Sequence, residues 1–198
     1  YIEDVKQKNG KIKEVKHAFM YIGAIYNNGI ISNYRKWEDI ILYFDSLSNL
    51  CLKNERYIIW VHNLSFEFQF MKDWIKFSDV FARKAHNVIK CVYKNIEFRD
   101  TLALSNCKLE TLAINEKLPV EKASGDLDYN KIRHQSSRLD SVEEHYVDMD
   151  VIVLAEYIKK KVKEYGRLEE IPMTSTGEVR YFFRKELGKN LKKIHDLS

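Results

Sequence analysis

The sequence is poor in the residues that mark special classes of protein. It has two prolines, seven glycines and three cysteines among 198 residues. So little proline and glycine argues against a disordered or low-complexity chain. The cysteines lack the spacing of a zinc site, which favours reduced thiols in a cytoplasmic setting. No apolar run approaches the ~20 residues of a membrane span and no secretory signal opens the chain, so we expect no membrane partner.

The composition that remains is typical of a globular domain with a full core. Apolar residues make up 45% of the chain and charged residues 31%, and the length suits one large domain. The net charge of +4 is mild, but basic residues gather near the C-terminus at Arg184, Lys185, Lys189, Lys192 and Lys193. Such a tail attracts phosphates, and a solvated basic helix explains the same pattern equally well.

Hydrophobic periodicity predicts an alternation of strands and helices. Residues 1–16 are charged and are predicted to be irregular. Asn27-Asn28-Gly29 is a typical hairpin turn between two strands. Strands are predicted over 17–26, 30–34, 56–61 and 96–99, strand or extended chain over 78–92, and helices over 37–50, 66–77, 108–117 and 142–164.

This order of elements predicts an α/β fold with a mixed sheet flanked by helices. Ser141 and Glu144 are expected to form a capping box at the start of the longest helix, and Gly166 is expected to end it. The loop over 119–138 is long for a compact domain. Residues 171–180 are predicted to be a linker into one or two basic terminal helices.

A polar turn between a buried strand and a helix is the first candidate site. His62 and Asn63 follow the strand, and Asn63 or Ser65 can cap the helix. Glu67 then lies in the first helical turn, beside the rings of Phe66 and Phe70. This grouping suits a metal or a nucleic-acid end. The alternative is an ordinary turn with Glu67 as a helix-start residue and both rings in the core.

The longest helix carries the second candidate site. Tyr146 and Asp150 are four residues apart and therefore lie on one face, while Asp148 is expected to point elsewhere and to be solvated. Asp150 precedes an apolar run over 151–155, where a buried acid requires a partner or a metal. In the alternative interpretation, Tyr146 is a ring at the core edge and Asp150 a surface acid.

Taken together, these segments resemble the 3′–5′ exonuclease domain (DnaQ-like) of phage-type, protein-primed family B DNA polymerases. His62-Asn63-Leu64-Ser65-Phe66-Glu67 is similar to the second exonuclease motif, and Tyr146-Val147-Asp148-Met149-Asp150 to the third. Asp100-Thr101-Leu102 resembles an element that the family uses on single-stranded DNA and the terminal protein. Gly125-Asp126-Leu127-Asp128-Tyr129 and residues 171–180 also resemble segments of the family.

The resemblance implies an RNase H-like fold and hydrolysis of 3′-terminal phosphodiesters by two Mg²⁺ or Mn²⁺ ions. It makes Glu67 and Asp150 metal ligands and makes Tyr146 the residue that orients the attacking water. The residues it implies in DNA binding are His62, Asn63, Phe66, Phe70, Thr101, Leu102, Tyr129 and Arg180. Expected partners are the 3′ end of single-stranded DNA, the terminal protein and the rest of a polymerase.

Two departures from the family pattern bear on catalysis. The opening Asp-x-Glu motif does not occur in residues 1–16, and the family pattern would place it just before Tyr1, together with the first sheet strand. The expected catalytic-loop lysine is replaced by Ser124, with Lys122 two residues away. We therefore expect a fragment that begins just after the first motif and has little or no nuclease activity on its own.

The predicted organisation is an exonuclease-like domain over 1–168, followed at 169–198 by a basic linker and terminal helices leading toward a polymerase domain that the chain lacks. The predicted function is that of a proofreading domain fragment. The alternative is a non-catalytic module of exonuclease-like fold that binds single-stranded DNA or a protein. The predicted location is the cytoplasm, that of the host if the source is viral.

Overall fold

The computed structural model describes residues 2–6, 10–16, 19–120 and 131–195. Its strands are β1 (Ile2–Lys6), β2 (Ile12–Lys16), β3 (Gly23–Asn27), β4 (Ile30–Tyr34), β5 (Tyr57–Val61), β6 (Asp79–Ala82), β7 (Val88–Tyr93) and β8 (Ile96–Asp100). Its helices are α1 (Trp37–Leu50), α2 (Leu64–Met71), α3 (Thr101–Ser105), α4 (Leu109–Asn115), α5 (Ser141–Tyr165) and α6 (Ser175–His195), with a short 3-10 helix at Leu168–Glu170.

A four-stranded mixed sheet forms the centre of the fold, with the strand order β5-β8-β7-β6. β5 and β8 are parallel, while the other two pairs are antiparallel. In the parallel pair, Val61 lies opposite Asp100, so both strands end at the same edge of the sheet. β1 and β2 form one separate hairpin, and β3 and β4 form another.

Both faces of this sheet are covered by helices. Because successive strand residues point to opposite sides, each strand can contribute to the core on either face. In β5, Ile59 and Val61 pack into a core with α1 and α2, while Ile58 and Trp60 pack into a second core with α3, α4 and α5. The expected mixed sheet flanked by helices is confirmed. Of the helices described, none combines the length and the apolar character needed to cross a membrane.

The elements with strong local signals are where the sequence predicts them. The hairpin of β3 and β4, the helix α1, the strand β5 and the long helix α5 agree with prediction to within a few residues, apart from the late start of β3. Gly166 ends α5 as expected, with a φ of 89° that suits a residue without a side chain.

Other expectations were wrong. The segment predicted to be irregular contains β1 and β2, and Gly10, with a φ of 79°, lies in the turn between them. The helix predicted to reach residue 77 ends at Met71, after which the chain turns and buries Ile75. The region predicted as strand or extended chain over 78–92 contains two strands, β6 and β7, and α6 begins at Ser175, inside the predicted linker.

The cap of α5 also differs from prediction, by one residue. Asp140 is the N-cap, and its carboxylate accepts hydrogen bonds from the backbone N–H groups of Val142 and Glu143. In return, Glu143 accepts one from the N–H of Asp140 at 3.0 Å. Aspartate caps a helix as well as serine does, so Ser141 and Glu144 are displaced from the capping box by their neighbours.

Glu143 is also held by two basic side chains. Its carboxylate lies 2.6 Å from Nη2 of Arg133 and 2.7 Å from Nζ of Lys131, and it is buried. Hydrogen bonds from Lys131 and from the Asp140 backbone, supported by Arg133, lower the pKa of Glu143 to about 2. Because the folded-state pKa lies below the unfolded one, this carboxylate stabilises the fold above the unfolded pKa of about 4.3, and the contribution is lost as the pH falls toward 2.

We therefore expect Glu143→Gln to destabilise the protein at about pH 6, with the difference from wild type shrinking as the pH falls toward about 2. Urea unfolding followed by circular dichroism measures both free energies. The matched control Glu144→Gln removes an exposed charge from the same turn and should change stability by less than about 0.5 kcal/mol. A Glu143→Gln effect that is the same at every pH contradicts this assignment.

Candidate nucleic-acid site

The candidate site lies at the edge where β5 and β8 end side by side. His62 and Asn63 follow β5, and Thr101 follows β8. The Thr101 hydroxyl donates a hydrogen bond to the backbone oxygen of Val61 at 3.2 Å, and Nδ1 of His62 lies 3.1 Å from the same hydroxyl oxygen. Because the single hydroxyl proton is used on Val61, this geometry favours the His62 tautomer that carries its hydrogen on Nδ1. Two predicted DNA-binding residues are thus in direct contact.

Asp100 connects the two segments at this edge. The sequence places it in the Asp100-Thr101-Leu102 element but gives it no role of its own. Its Oδ1 accepts hydrogen bonds from the backbone N–H groups of Leu64 at 3.1 Å and Leu102 at 3.0 Å, and its Oδ2 from that of Ala103 at 3.2 Å. The residue is 3% exposed. Burial raises its pKa, against the opposing effect of these hydrogen bonds. One carboxylate therefore caps α3 and also binds the first residue of α2.

The start of α2 differs from the predicted cap. Asn63 occupies the N-cap position in the left-handed conformation, with φ 62° and ψ 54°, and its side chain makes no capping bond. Ser65 donates its hydroxyl hydrogen bond to the backbone oxygen of Val88 on β7, 3.1 Å away. Asn63 is therefore the N-cap residue, one of the two predicted. The side-chain hydrogen bond to the start of the helix comes from Asp100 at the end of the neighbouring strand.

α2 also places two aromatic rings and one carboxylate. Phe66 is 56% exposed, and its ring meets that of Phe70 edge to face, with centroids 5.1 Å apart. Phe70 is half-buried and packs against the core. Glu67 is also half-buried, and burial raises its pKa. Phe66 is therefore available to a ligand, while Phe70 supports it from the core side.

Tyr146 and Asp150 lie on α5, which packs against β3 and β5. Both residues are half-buried, and Oδ1 of Asp150 is shielded from solvent. The expectation that Asp148 is solvated was wrong, because this residue is half-buried and accepts a 3.0 Å hydrogen bond from the Asn33 amide on β4. β5 thus contacts α5 and leads at its end into the turn at His62.

The remaining predicted residues have different positions. Leu102 is half-buried in the first turn of α3, next to Thr101. Arg180 is exposed on α6. Tyr129 lies outside the described residues, as do Lys122 and Ser124, so their roles stay predictions.

The described side chains do not fit a complete metal centre. Within residues 2–6, 10–16, 19–120 and 131–195, no three His, Cys, Asp or Glu side chains are grouped so that they could hold a metal ion. Mg²⁺ requires near-octahedral oxygen coordination, in which the carboxylates are only part of the ligand set. Glu67 and Asp150 therefore stay a predicted ligand pair.

Comparison with known proteins gives a likeness of structure and none of sequence. No protein-family model matches the chain, and no curated protein matches it. Its fold is similar to part of Phi29 DNA polymerase in the ternary complex with primer-template DNA and incoming nucleotide, with a TM-score of 0.67 and 15% identity. That match covers 96% of this chain and 34% of the polymerase.

Two further structures of the same polymerase agree. The complex with single-stranded DNA gives a TM-score of 0.63 at 16% identity, covering 84% of this chain and 31% of the polymerase. The post-translocation complex with primer-template DNA gives 0.65 at 14%, covering 98% and 35%. The chain thus spans about a third of the polymerase that it resembles, and at this identity the likeness establishes the fold alone.

The bridging role of Asp100 predicts a graded response to substitution. Asp100→Ala leaves one buried and two partly buried N–H groups without their acceptor and should cost about 2–4 kcal/mol of unfolding free energy. Asp100→Asn keeps one acceptor oxygen, which can serve Leu64 and Leu102, and should cost about half as much. Urea unfolding measures both values. Equal losses for the two variants would show that the carboxylate does not act through these bonds.

Proposed function

We propose that the chain is the exonuclease-type part of a family B, protein-primed DNA polymerase and that it binds the 3′ end of single-stranded DNA. The observation that carries this proposal is the contact between two motif segments at one sheet edge. His62 follows β5, Thr101 follows β8, and their side chains lie 3.1 Å apart. The likeness to part of Phi29 DNA polymerase supports the same assignment.

In this proposal the exposed ring of Phe66 stacks on a base near the 3′ terminus, with Phe70 behind it. Such stacking tolerates any base, because every base has an aromatic face. His62, Asn63 and Leu102 contact the strand at the edge next to the rings. Thr101, predicted to bind DNA, is fully buried and instead holds His62 through the 3.1 Å contact. Phi29 DNA polymerase has been solved with single-stranded DNA, and we extend that class of ligand to this chain.

We further propose that the intact protein hydrolyses the 3′-terminal phosphodiester with two Mg²⁺ or Mn²⁺ ions. Glu67 and Asp150 would be metal ligands, and Tyr146 would orient the attacking water. No Asp-x-Glu occurs anywhere in the 198 residues, and the described residues supply no group of three ligands. These two observations also favour the second candidate function, a non-catalytic module that binds single-stranded DNA. The terminal protein and the rest of a polymerase are further proposed partners.

We expect Phe66→Ala to weaken binding of a 3′-ended oligothymidylate by about 5- to 150-fold, the loss of one stacked base. Fluorescence anisotropy of an oligonucleotide labelled at its 5′ end measures the Kd. Phe81→Ala is the matched control, because Phe81 is similarly exposed at 49% but lies on β6, the outer strand on the other side of the sheet from β5. Equal losses in the two variants would refute the placement of the site at α2.

The 198-residue chain is expected to show little or no Mg²⁺-dependent digestion of single-stranded DNA, because its sequence lacks Asp-x-Glu and its described residues supply no group of three ligands for the two cations. Gel electrophoresis of the 5′-labelled oligonucleotide after incubation with Mg²⁺ or Mn²⁺ measures this. Rapid digestion that is lost in Asp150→Ala would show that the ligand set is complete without Asp-x-Glu.

Metal dependence of binding separates the two candidate functions. In the exonuclease part of a polymerase, Asp150→Asn alters the effect of Mg²⁺ on DNA affinity. In a non-catalytic module, affinity is independent of metal and of Asp150→Asn, but is still weakened by Phe66→Ala. Titrations with and without Mg²⁺ on the same oligonucleotide distinguish these outcomes.

A further inference from the structure

A second surface of the protein combines positive charge with an exposed ring, and it lies on α6. Arg180, Phe183, Arg184 and Leu187 follow one another at spacings of three, one and three residues, which places them on one side of the helix. Phe183 is 67% exposed and Leu187 is 49% exposed, and both arginines are exposed. These four residues are called the α6 face.

The sequence of α6 is strongly basic. The helix carries six lysine and arginine residues against two glutamates. One of these, Glu178, is turned inward, where it accepts hydrogen bonds from Lys161 at 2.6 Å and from the Tyr165 hydroxyl at 2.9 Å. Neither Arg180 nor Arg184 forms an ion pair within the described part of the chain. Their guanidinium groups are therefore available to an anion.

The inner side of α6 holds this surface in a fixed orientation. The rings of Tyr181 and Phe182 pack against Tyr165, with centroid distances of 4.8 and 5.8 Å. Lys161, the partner of Glu178, is 5% exposed, so the ion pair that joins α5 to α6 is shielded from water on the α5 side. A surface that is already ordered loses little conformational entropy when a ligand binds.

The chemistry of the α6 face fits a single nucleic-acid strand. Arginine binds phosphate oxygens in a bidentate manner, and an exposed phenylalanine between two arginines offers a stacking surface for a base. A duplex encloses its base faces, so a single strand satisfies both features where a duplex satisfies one. A second copy of this chain would bring two positively charged surfaces together, which is unfavourable.

The position of α6 connects this surface to the candidate site. α6 packs against α3, and the first residue of α3 is Thr101. We propose that the α6 face is a second contact for single-stranded DNA, which holds the strand beyond its 3′-terminal nucleotides. This inference rests on the proposed function, since it extends the strand from the β5–β8 edge across α3.

The test uses anisotropy of 5′-labelled oligothymidylates of about 4 and about 16 nucleotides, the range of lengths that single-strand sites cover. The double variant Arg180→Gln/Arg184→Gln should bind the longer oligonucleotide more weakly. The slope of its log Kd against log salt concentration should be shallower by about 1.4, the value for two phosphate contacts. Phe183→Ala should weaken it by about 5- to 150-fold. The shorter oligonucleotide, bound at the β5–β8 edge, should change by less than about twofold.

The matched control is Arg83→Gln/Lys84→Gln, which removes the same charge from exposed positions after β6. A loss as large as that of the α6 variants would overturn the inference, because it would reflect net charge alone. Binding to anionic vesicles that depends on Arg180 and Arg184, with DNA affinity unchanged, would also overturn it. Unchanged thermal unfolding of all variants shows that the fold is intact.

The results also separate this inference from the proposed function. If Phe66→Ala weakens the binding of both oligonucleotides while the α6 variants bind like wild type, only the role of the α6 face in binding is refuted. If the α6 variants weaken the longer oligonucleotide while Phe66→Ala changes neither, the α6 face stands and the site at α2 fails. If wild type binds neither oligonucleotide, both proposals fail.

Discussion

The buried carboxylate of Asp100 determines how the two segments of the candidate site meet. It accepts N–H bonds from the first residue of α2 and from two residues of α3, so both helices begin at one fixed point. A buried carboxylate is unfavourable unless hydrogen bonds compensate for its lost hydration. The same bonds that keep Asp100 in place therefore set the positions of His62 and Thr101, which lie on either side of them.

This arrangement depends on β5 and β8 being parallel. Parallel neighbours end at the same edge, so the residues that follow them come together although they are 39 positions apart in the chain. Antiparallel pairing would separate His62 and Thr101 by the length of a strand. The antiparallel strands β7 and β6 complete the sheet on the far side of β8, and α2 packs on β7 and β8. The topology thus brings the motifs together, and Asp100 fixes their relative position.

The parts of the fold that could be predicted are those with a local cause. The turn at Asn28 and Gly29, the apolar periodicity of α1 and α5 and the apolar run of β5 need no information from the rest of the chain. The bridge through Asp100 could not be predicted, because its partner Leu64 lies 36 residues away. Asn63 and Ser65 are residue types that commonly cap helices. The Ser65 hydroxyl, however, binds the backbone of β7, a tertiary contact that no local sequence pattern predicts.

The same distinction applies to α5, which carries Tyr146 and Asp150. Its length and end follow from the sequence, but its position follows from tertiary contacts, with Val153 and Tyr157 buried in the second core and ion pairs near both ends. Glu143 is bound near the N-terminus by Arg133 and Lys131, and Lys161 near the C-terminus by Glu178 of α6. Tyr146 lies about 9 Å along the helix from the cap, given a rise of about 1.5 Å per residue. Because Tyr146 and Asp150 share this helix, the loss of either ion pair would move both residues together and leave the distance between them unchanged.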